Sequence, residues 1–467
     1  MRKLGIIMGV VVGGASLALS QTPAPSNPPP GTTGNADNVK YLNTPSREDP
    51  SAPGQPVRLA NKTGHVSNYS VDKIPPYKLP DPLVMFNGQK VTTADQWYQQ
   101  RRPEILKYYR DQIYGNIPAT APKVTWTVAQ TDAEAQGGTA IMKRVVGKLG
   151  NSDQTITMTM YTPKNASGPV PMMLAFGFGG GGAGGARGRG PATGPAGAQA
   201  AAPATAPARG RAGPGGGGGG AMAEFLNNGW GYATISNGEI QPDNLQGLTA
   251  GVIGLSFAPG QTERKPNEWG SIAAWAWGLS RCLDYFETDR SVNAKQVSVT
   301  GASRLGKTAL WACASDERFA GCASIVGGEL GAALIRRDWG ETLDDMAQNY
   351  PWQFAGNIQS WVGKWSALPV DQHMLIALCA PRLCYVNGGV TDQWSDPVGE
   401  FLSIVAAGPV YHLLGLKDVG TTDVPPLDHP LITGDVAFHY HSGGHGASPL
   451  DYPAYREFAD RHFKAAK

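Results

Sequence analysis

Charge is scarce in this sequence. Acidic and basic residues make up 16% of 467 positions, against a usual share of roughly 25%. The formal net charge is +2, and four arginines between 179 and 220 supply more than all of it. No basic stripe is left to hold a phosphate backbone, which excludes nucleic acid as a partner. Cysteine is rare as well: Cys282, Cys313, Cys322, Cys379 and Cys384 are the whole set. An odd number whose spacing matches no zinc motif reads better as buried free thiols than as a metal site or a disulfide framework. Beyond residue 20 no run of eighteen apolar residues occurs, so no integral membrane segment is expected after that point.

Glycine and proline are what the chain has in excess. They number 62 and 37, together about a fifth of the residues against a usual ~12%. Much of the excess lies in 179–220, a tract dominated by Gly, Ala, Pro and Arg with no acid and no aromatic. Such a tract cannot bury apolar surface to offset its chain entropy, so it is expected as a disordered insertion. A phosphate cradle would need a short loop closing on Lys-Ser or Lys-Thr, which is missing. At the start of the chain, Arg2 and Lys3 precede the apolar stretch Leu4 to Leu19, and Ala18 and Ser20 suit a cut before Gln21. Residues 1–20 therefore read as an export signal, which implies a secreted or periplasmic protein. Residues 21–60, rich in Pro, Asn, Ser and Thr, are expected to be a disordered leader. The remainder, 61–467, is expected to be one catalytic domain carrying the insertion.

Apolar runs and helical periods alternate along that domain. Strands are expected at 172–178, 231–235, 296–300, 322–326, 383–386 and 436–440, and a helix at 271–286 with Ile272, Trp275, Leu279, Leu283 and Phe286 on one face. A segment containing Trp97, Tyr98, Arg101, Arg102 and Ile105 reads as a surface helix. The alternation predicts an α/β fold, a mostly parallel sheet with helices on both faces.

The strongest local signal is Val297-Ser298-Val299-Thr300-Gly301-Ala302-Ser303-Arg304-Leu305-Gly306-Lys307. It places Ser303 on a strand-to-helix turn, where a side chain stands clear of the sheet beside a helix N-terminus. Gly301 and Gly306 suit the close approach of strand and helix. A serine nucleophile needs a base, and α/β-hydrolases supply it late in the chain, in the order Ser, acid, His. His445, between glycines in Gly443-Gly444-His445-Gly446, fits that place. Two acids fall between them after strands: Asp392 in Thr391-Asp392-Gln393, and Glu329 in Gly328-Glu329-Leu330. Asp396, before a proline, reads as a helix cap.

With these residues in view, the sequence resembles carbohydrate esterase family 15, the glucuronoyl esterases. The likeness rests on Trp269-Gly270-Ser271-Ile272-Ala273-Ala274-Trp275, on Gly301-Ala302-Ser303-Arg304-Leu305-Gly306-Lys307, on Leu368-Pro369-Val370-Asp371-Gln372-His373 and on the Gly444-His445 loop, and it covers roughly 75–463. It implies an α/β-hydrolase fold, a three-layer sandwich, and cleavage of the ester between glucuronic acid of plant xylan and lignin alcohols. It implies no cofactor, metal or organic, and a glucuronate-bearing polysaccharide as partner; a monomer is expected. By the same resemblance Ser303 is the nucleophile, His445 the base and Arg304 the oxyanion donor. Lys307, Glu341 and Trp394 would hold the sugar. Their plain alternatives are a solvated helix lysine, a helix N-terminal charge and a core tryptophan. The family's commonest position for the triad acid falls on Val326 here, so Asp392 is the first choice and Glu329 the second. Two other functions stay open: a broader carboxylesterase such as an acetylxylan esterase, and a non-catalytic carbohydrate-binding protein on a hydrolase scaffold.

Overall fold

In the computed structural model, residues 48–49, 52–177 and 218–465 are described. A nine-stranded sheet organises them. Its strands in chain order are β1 Val124–Glu134, β2 Ala140–Leu149, β3 Thr155–Pro163, β4 Val170–Phe176 and β5 Gly231–Ile235, then β6 Val292–Ala302, β7 Gly321–Ile325, β8 Leu383–Gly389 and β9 Val436–His441. The spatial order is β9-β8-β7-β6-β4-β5-β3-β2-β1. The stretch from β9 to β5 is parallel throughout, and β3, β2 and β1 continue it antiparallel.

The inner strands are largely apolar where both faces are covered. On β4, Met172 and Leu174 join one core while Met173 and Ala175 join another. On β8, Cys384 and Val386 part from Leu383 and Tyr385 in the same way, as a period of two requires. The first face is covered by α3 Ser271–Phe286, α4 Arg304–Ser315 and α7 Pro397–Leu413, and α1 (94–114), α5 Leu343–Asn349 and α6 Gln372–Ala377 add side chains to the same core. The second is covered by α2 Gly218–Asn227 and α8 Asp451–Ala465. This is the expected three-layer α/β-hydrolase sandwich. The elbow glycines behave as foreseen: a Cβ on Gly306 would lie 2.6 Å from Ile325 O, and one on Gly301 would strike the Leu305 backbone.

One expectation is sharpened, one needs correction, one falls outside the described residues, and three strands were not foreseen. The helix at 94–114 lies at the surface, with Tyr98, Gln99, Gln100 and Lys107 exposed, but its arginines are not on the wet face: Arg101 and Arg102 are buried with Trp97 and Ile105. Arg101 can be buried because its guanidinium donates to Pro82 O and Glu104 and lies over the Phe86 ring. The leader boundary at 60 is too late. Residues 52–56 and 59–60 form short strands, and Val57, Leu59 and Ala60 are buried against the body. The expected insertion at 179–220 lies outside the described residues except for 218–220, which open α2. The antiparallel strands β1 to β3 were not foreseen. Most of β1 is exposed, and a polar edge strand offers little hydrophobic pattern to read.

Candidate active site

The site lies at the C-terminal ends of the parallel strands, where loops from β6, β7, β8 and β9 meet. Ser303 follows β6 at φ 59 and ψ −128, a conformation that side-chain-bearing residues rarely adopt. Its backbone N–H donates to Ile325 O on β7, which fixes the turn. Arg304 begins α4, so the first N–H groups of that helix lack intrahelical acceptors and favour negative charge nearby.

The loops after β8 and β9 are laced together. Val390 N donates to His441 O, and Thr391 N and Oγ1 donate to Gly443 O. That lacing brings together two residues 53 positions apart: His445 Nδ1 lies 2.7 Å from Asp392 Oδ2. Ser395 Oγ lies 3.3 Å from the same nitrogen. Asp392 is 6% exposed, while 43% of the His445 side chain is exposed. The second candidate acid is placed differently. Glu329 is buried, Oε1 has no hydrogen-bond partner, and burial together with the nearby Asp371 holds its carboxyl well above the ordinary range. Asp392, not Glu329, makes the contact to His445. Asp396 caps α7 by accepting from Gly399 N, as expected.

Ser303, Arg304, Lys307, Glu341, Trp394 and His445 line one cavity of about 190 Å³. Lys307 is not a solvated helix residue. It is 3% exposed, and its Nζ donates to Gly327 O at 2.7 Å and to Glu341 Oε2 at 3.3 Å. The other Glu341 oxygen accepts from Trp394 Nε1 at 3.2 Å. The three form a chain of donors and acceptors around an aromatic face, suited to a sugar ring. Lysine and glutamate meet here through a loop and a helix, so the glutamate is more than a helix-terminal charge.

Several residues that hold the cavity lining in place had no signal in the sequence. Arg304 Nε pairs with Asp243 Oδ2 at 2.5 Å, and Asp243 Oδ1 accepts from Trp352 Nε1 and Gln353 Nε2, both at 2.9 Å. Arg58 lies 5.0 Å over the Trp394 ring, and Gln55 Oε1 accepts from Trp394 N at 3.1 Å. These come from segments that read as loop or leader. Only their contacts across the fold distinguish them.

The family described as fungal glucuronyl esterase matches residues 264–415. A carbohydrate esterase called MZ0003, from an unknown prokaryotic organism, is 37% identical over 401 residues, covering 85% of this chain and 92% of its own. A solved glucuronoyl esterase from Solibacter usitatus superposes with TM-score 0.73 at 37% identity, covering 83% of this chain and 99% of that one. A 4-O-methyl-glucuronoyl methylesterase from Phanerochaete carnosa is 30% identical over 197 residues, 38% of this chain and 48% of its own. Identity sustained over that much of both chains shows common descent: the chain belongs to carbohydrate esterase family 15, the glucuronoyl esterases, and is a carboxylic ester hydrolase.

Proposed function

We propose that the chain hydrolyses esters of glucuronic acid and its 4-O-methyl form, through an acyl-enzyme on Ser303. The observation that carries the reading is the 2.7 Å contact from His445 Nδ1 to Asp392 in the cavity that Ser303 lines. With Nδ1 held by the carboxylate, Nε2 is the nitrogen that accepts the Ser303 proton. Ser303 Oγ bonds to the ester carbon, and negative charge develops on the carbonyl oxygen. The Arg304 backbone N–H and guanidinium receive it, the guanidinium being tethered by Asp243. His445 then protonates the departing alcohol oxygen, and water on the same histidine releases the uronic acid. Proton transfer and oxyanion binding would each supply roughly 3–5 kcal/mol of the barrier reduction. Lys307 and Glu341 bind ring hydroxyls, and Trp394 stacks on the ring.

The natural substrate would be the ester between xylan glucuronate and lignin alcohols. We also take 1–20 as an export signal, which places the enzyme in the periplasm or outside the cell with its polymer. No helix among the described residues is long and apolar enough to cross a membrane.

The test is hydrolysis of benzyl glucuronate beside 4-nitrophenyl acetate. Ser303→Ala should abolish turnover of both with the circular dichroism unchanged. Asp392→Asn should lower kcat on the order of 10³–10⁴-fold, and Glu329→Gln should leave it within a few-fold. Trp394→Ala should impair the uronate ester far more than the acetate. Equal losses on both esters would reject the sugar site. Activity confined to the acetate would make the chain a general carboxylesterase, and activity on neither a binding protein.

A further inference from the structure

Four of the five cysteines, scattered over 72 positions in sequence, meet in the core beneath the nucleophile helix. Cys313 comes from α4, Cys322 from β7, Cys379 from the turn after α6 and Cys384 from β8. All four are fully buried. The sulfurs of Cys313, Cys322 and Cys379 lie within 4.8 Å of one another, and Cys384 Sγ is 4.0 Å from Cys322 Sγ. A tetrahedral ion with metal–sulfur bonds of about 2.3 Å needs sulfur–sulfur edges of roughly 3.8 Å. Cys313, Cys322 and Cys379 supply three corners near that frame, while Cys384 lies outside the three-sulfur group and adjoins it at Cys322.

The surroundings suit an anionic group. Arg382 Nη1 lies 3.6 Å from Cys313 Sγ and also donates to Cys313 O, while Nη2 donates to Leu378 O at 2.9 Å. Arg102, buried, donates to Ala314 O and to Leu378 O. Two guanidinium groups thus grip the backbone on either side of Cys313 and Cys379. Zinc or cuprous copper with three thiolates carries net negative charge, whose burial is costly unless cations stand beside it. No carboxylate, imidazole or other hard ligand belongs to the group among the described residues.

We propose that Cys313, Cys322 and Cys379 bind one thiophilic d¹⁰ ion, zinc or cuprous copper, as a structural staple, with Cys384 beside Cys322 in the same core. Each coordinating thiol loses its proton to solvent and forms one sulfur–metal bond; no electrons are transferred. The ion would tie the C-terminal end of α4 and the turn after α6 to strand β7. Because the cluster is sealed from solvent, the ion enters as the chain folds. The spacing in sequence conceals such a site, since each ligand lies on a different element.

The experiment uses the full chain. Protein made in zinc-supplemented medium and purified without chelator is assayed for metals by mass spectrometry, and its thiols are counted in denaturant. A second sample is unfolded under reduction and refolded with Co²⁺, and its near-ultraviolet absorption is recorded. About one ion per chain, with a thiolate-to-cobalt charge-transfer band, supports the site; copper in place of zinc supports it and identifies the ion. Cys313→Ala with Cys379→Ala should abolish both signals, and Cys282→Ala, altering the cysteine on α3, should keep them. Circular dichroism of the double variant checks its fold, and the wild-type result stands without it. Absence of stoichiometric metal in both wild-type samples overturns the proposal. So does a disulfide joining cluster cysteines in the unreduced digest, or metal retained equally by the double variant.

Discussion

Ser303 is held where its own backbone resists it. At φ 59 and ψ −128 a side chain costs about 1–3 kcal/mol, and Val326, also facing the cavity, sits at φ 42 despite its branched Cβ. Strain of this kind survives only where packing over-determines it, here by the Ser303 N–H bond to Ile325 O and the tight seat of Gly306. Ser303→Gly should therefore be inactive yet more stable, by about 1 kcal/mol after the extra chain entropy of glycine is subtracted. Urea denaturation checks this; a variant less stable than wild type would show that the serine side chain, rather than the backbone, sets the balance. Ser303 and His445 were legible before the fold because an elbow and a glycine-flanked histidine are local patterns. Local pattern did not separate Asp392 from Glu329, because both follow strands and glycines; only the family likeness ranked Asp392 first.

At the scale of elements, α5 shows how burial and capping oppose each other. Thr342 accepts from Asp345 N, and Asp345 Oδ2 accepts from Thr342 N, a reciprocal box at the helix start. Burial pushes the Asp345 carboxyl from 3.8 up to about 6, with the Thr342 hydrogen bonds pulling it back. The folded chain then keeps a proton that the unfolded chain releases, so this group's contribution to stability falls as pH rises from about 4 to 6. Asp345→Asn keeps the amide oxygen as acceptor and cannot titrate. Between pH 4 and 7 the variant should lose about 2 kcal/mol less stability than wild type. Denaturant midpoints at the two pH values test it, and parallel changes would refute it. Strands β4 to β9 were readable because burial on both faces leaves a largely apolar run in each, which in β6 begins at Val297 after the polar stretch 293–296. Strands β1 to β3 alternate with polar residues, and helix 94–114 hides two arginines that composition assigns to solvent.

For the molecule as a whole, the segment before residue 61 belongs to the fold. Val57 packs with Tyr69 against Trp339 and Trp394, while Gln55 and Arg58 hold the Trp394 indole and its backbone. A chain begun at residue 48 should match the full chain in stability and in uronate-ester turnover. One begun at residue 61 should lose on the order of 3–5 kcal/mol, the burial of Val57 and Leu59, and should lose uronate-ester turnover more than acetate turnover. Thermal unfolding and the two-substrate assay decide it. Equal behaviour of the two truncated chains would restore the leader boundary at 60.

From the sequence alone came the α/β alternation, the elbow with its serine, the late histidine and the family likeness. Each is carried by residues within a few positions of one another, where backbone sterics and strand or helix periods act. The tertiary structure alone decided the rest. It chose Asp392 for His445, joined Lys307 to Glu341 and Trp394, tethered Arg304 to Asp243 and gathered four cysteines beneath α4. Those pairings span tens to hundreds of positions, and strand order in the sheet, which no local pattern encodes, sets which loop ends meet.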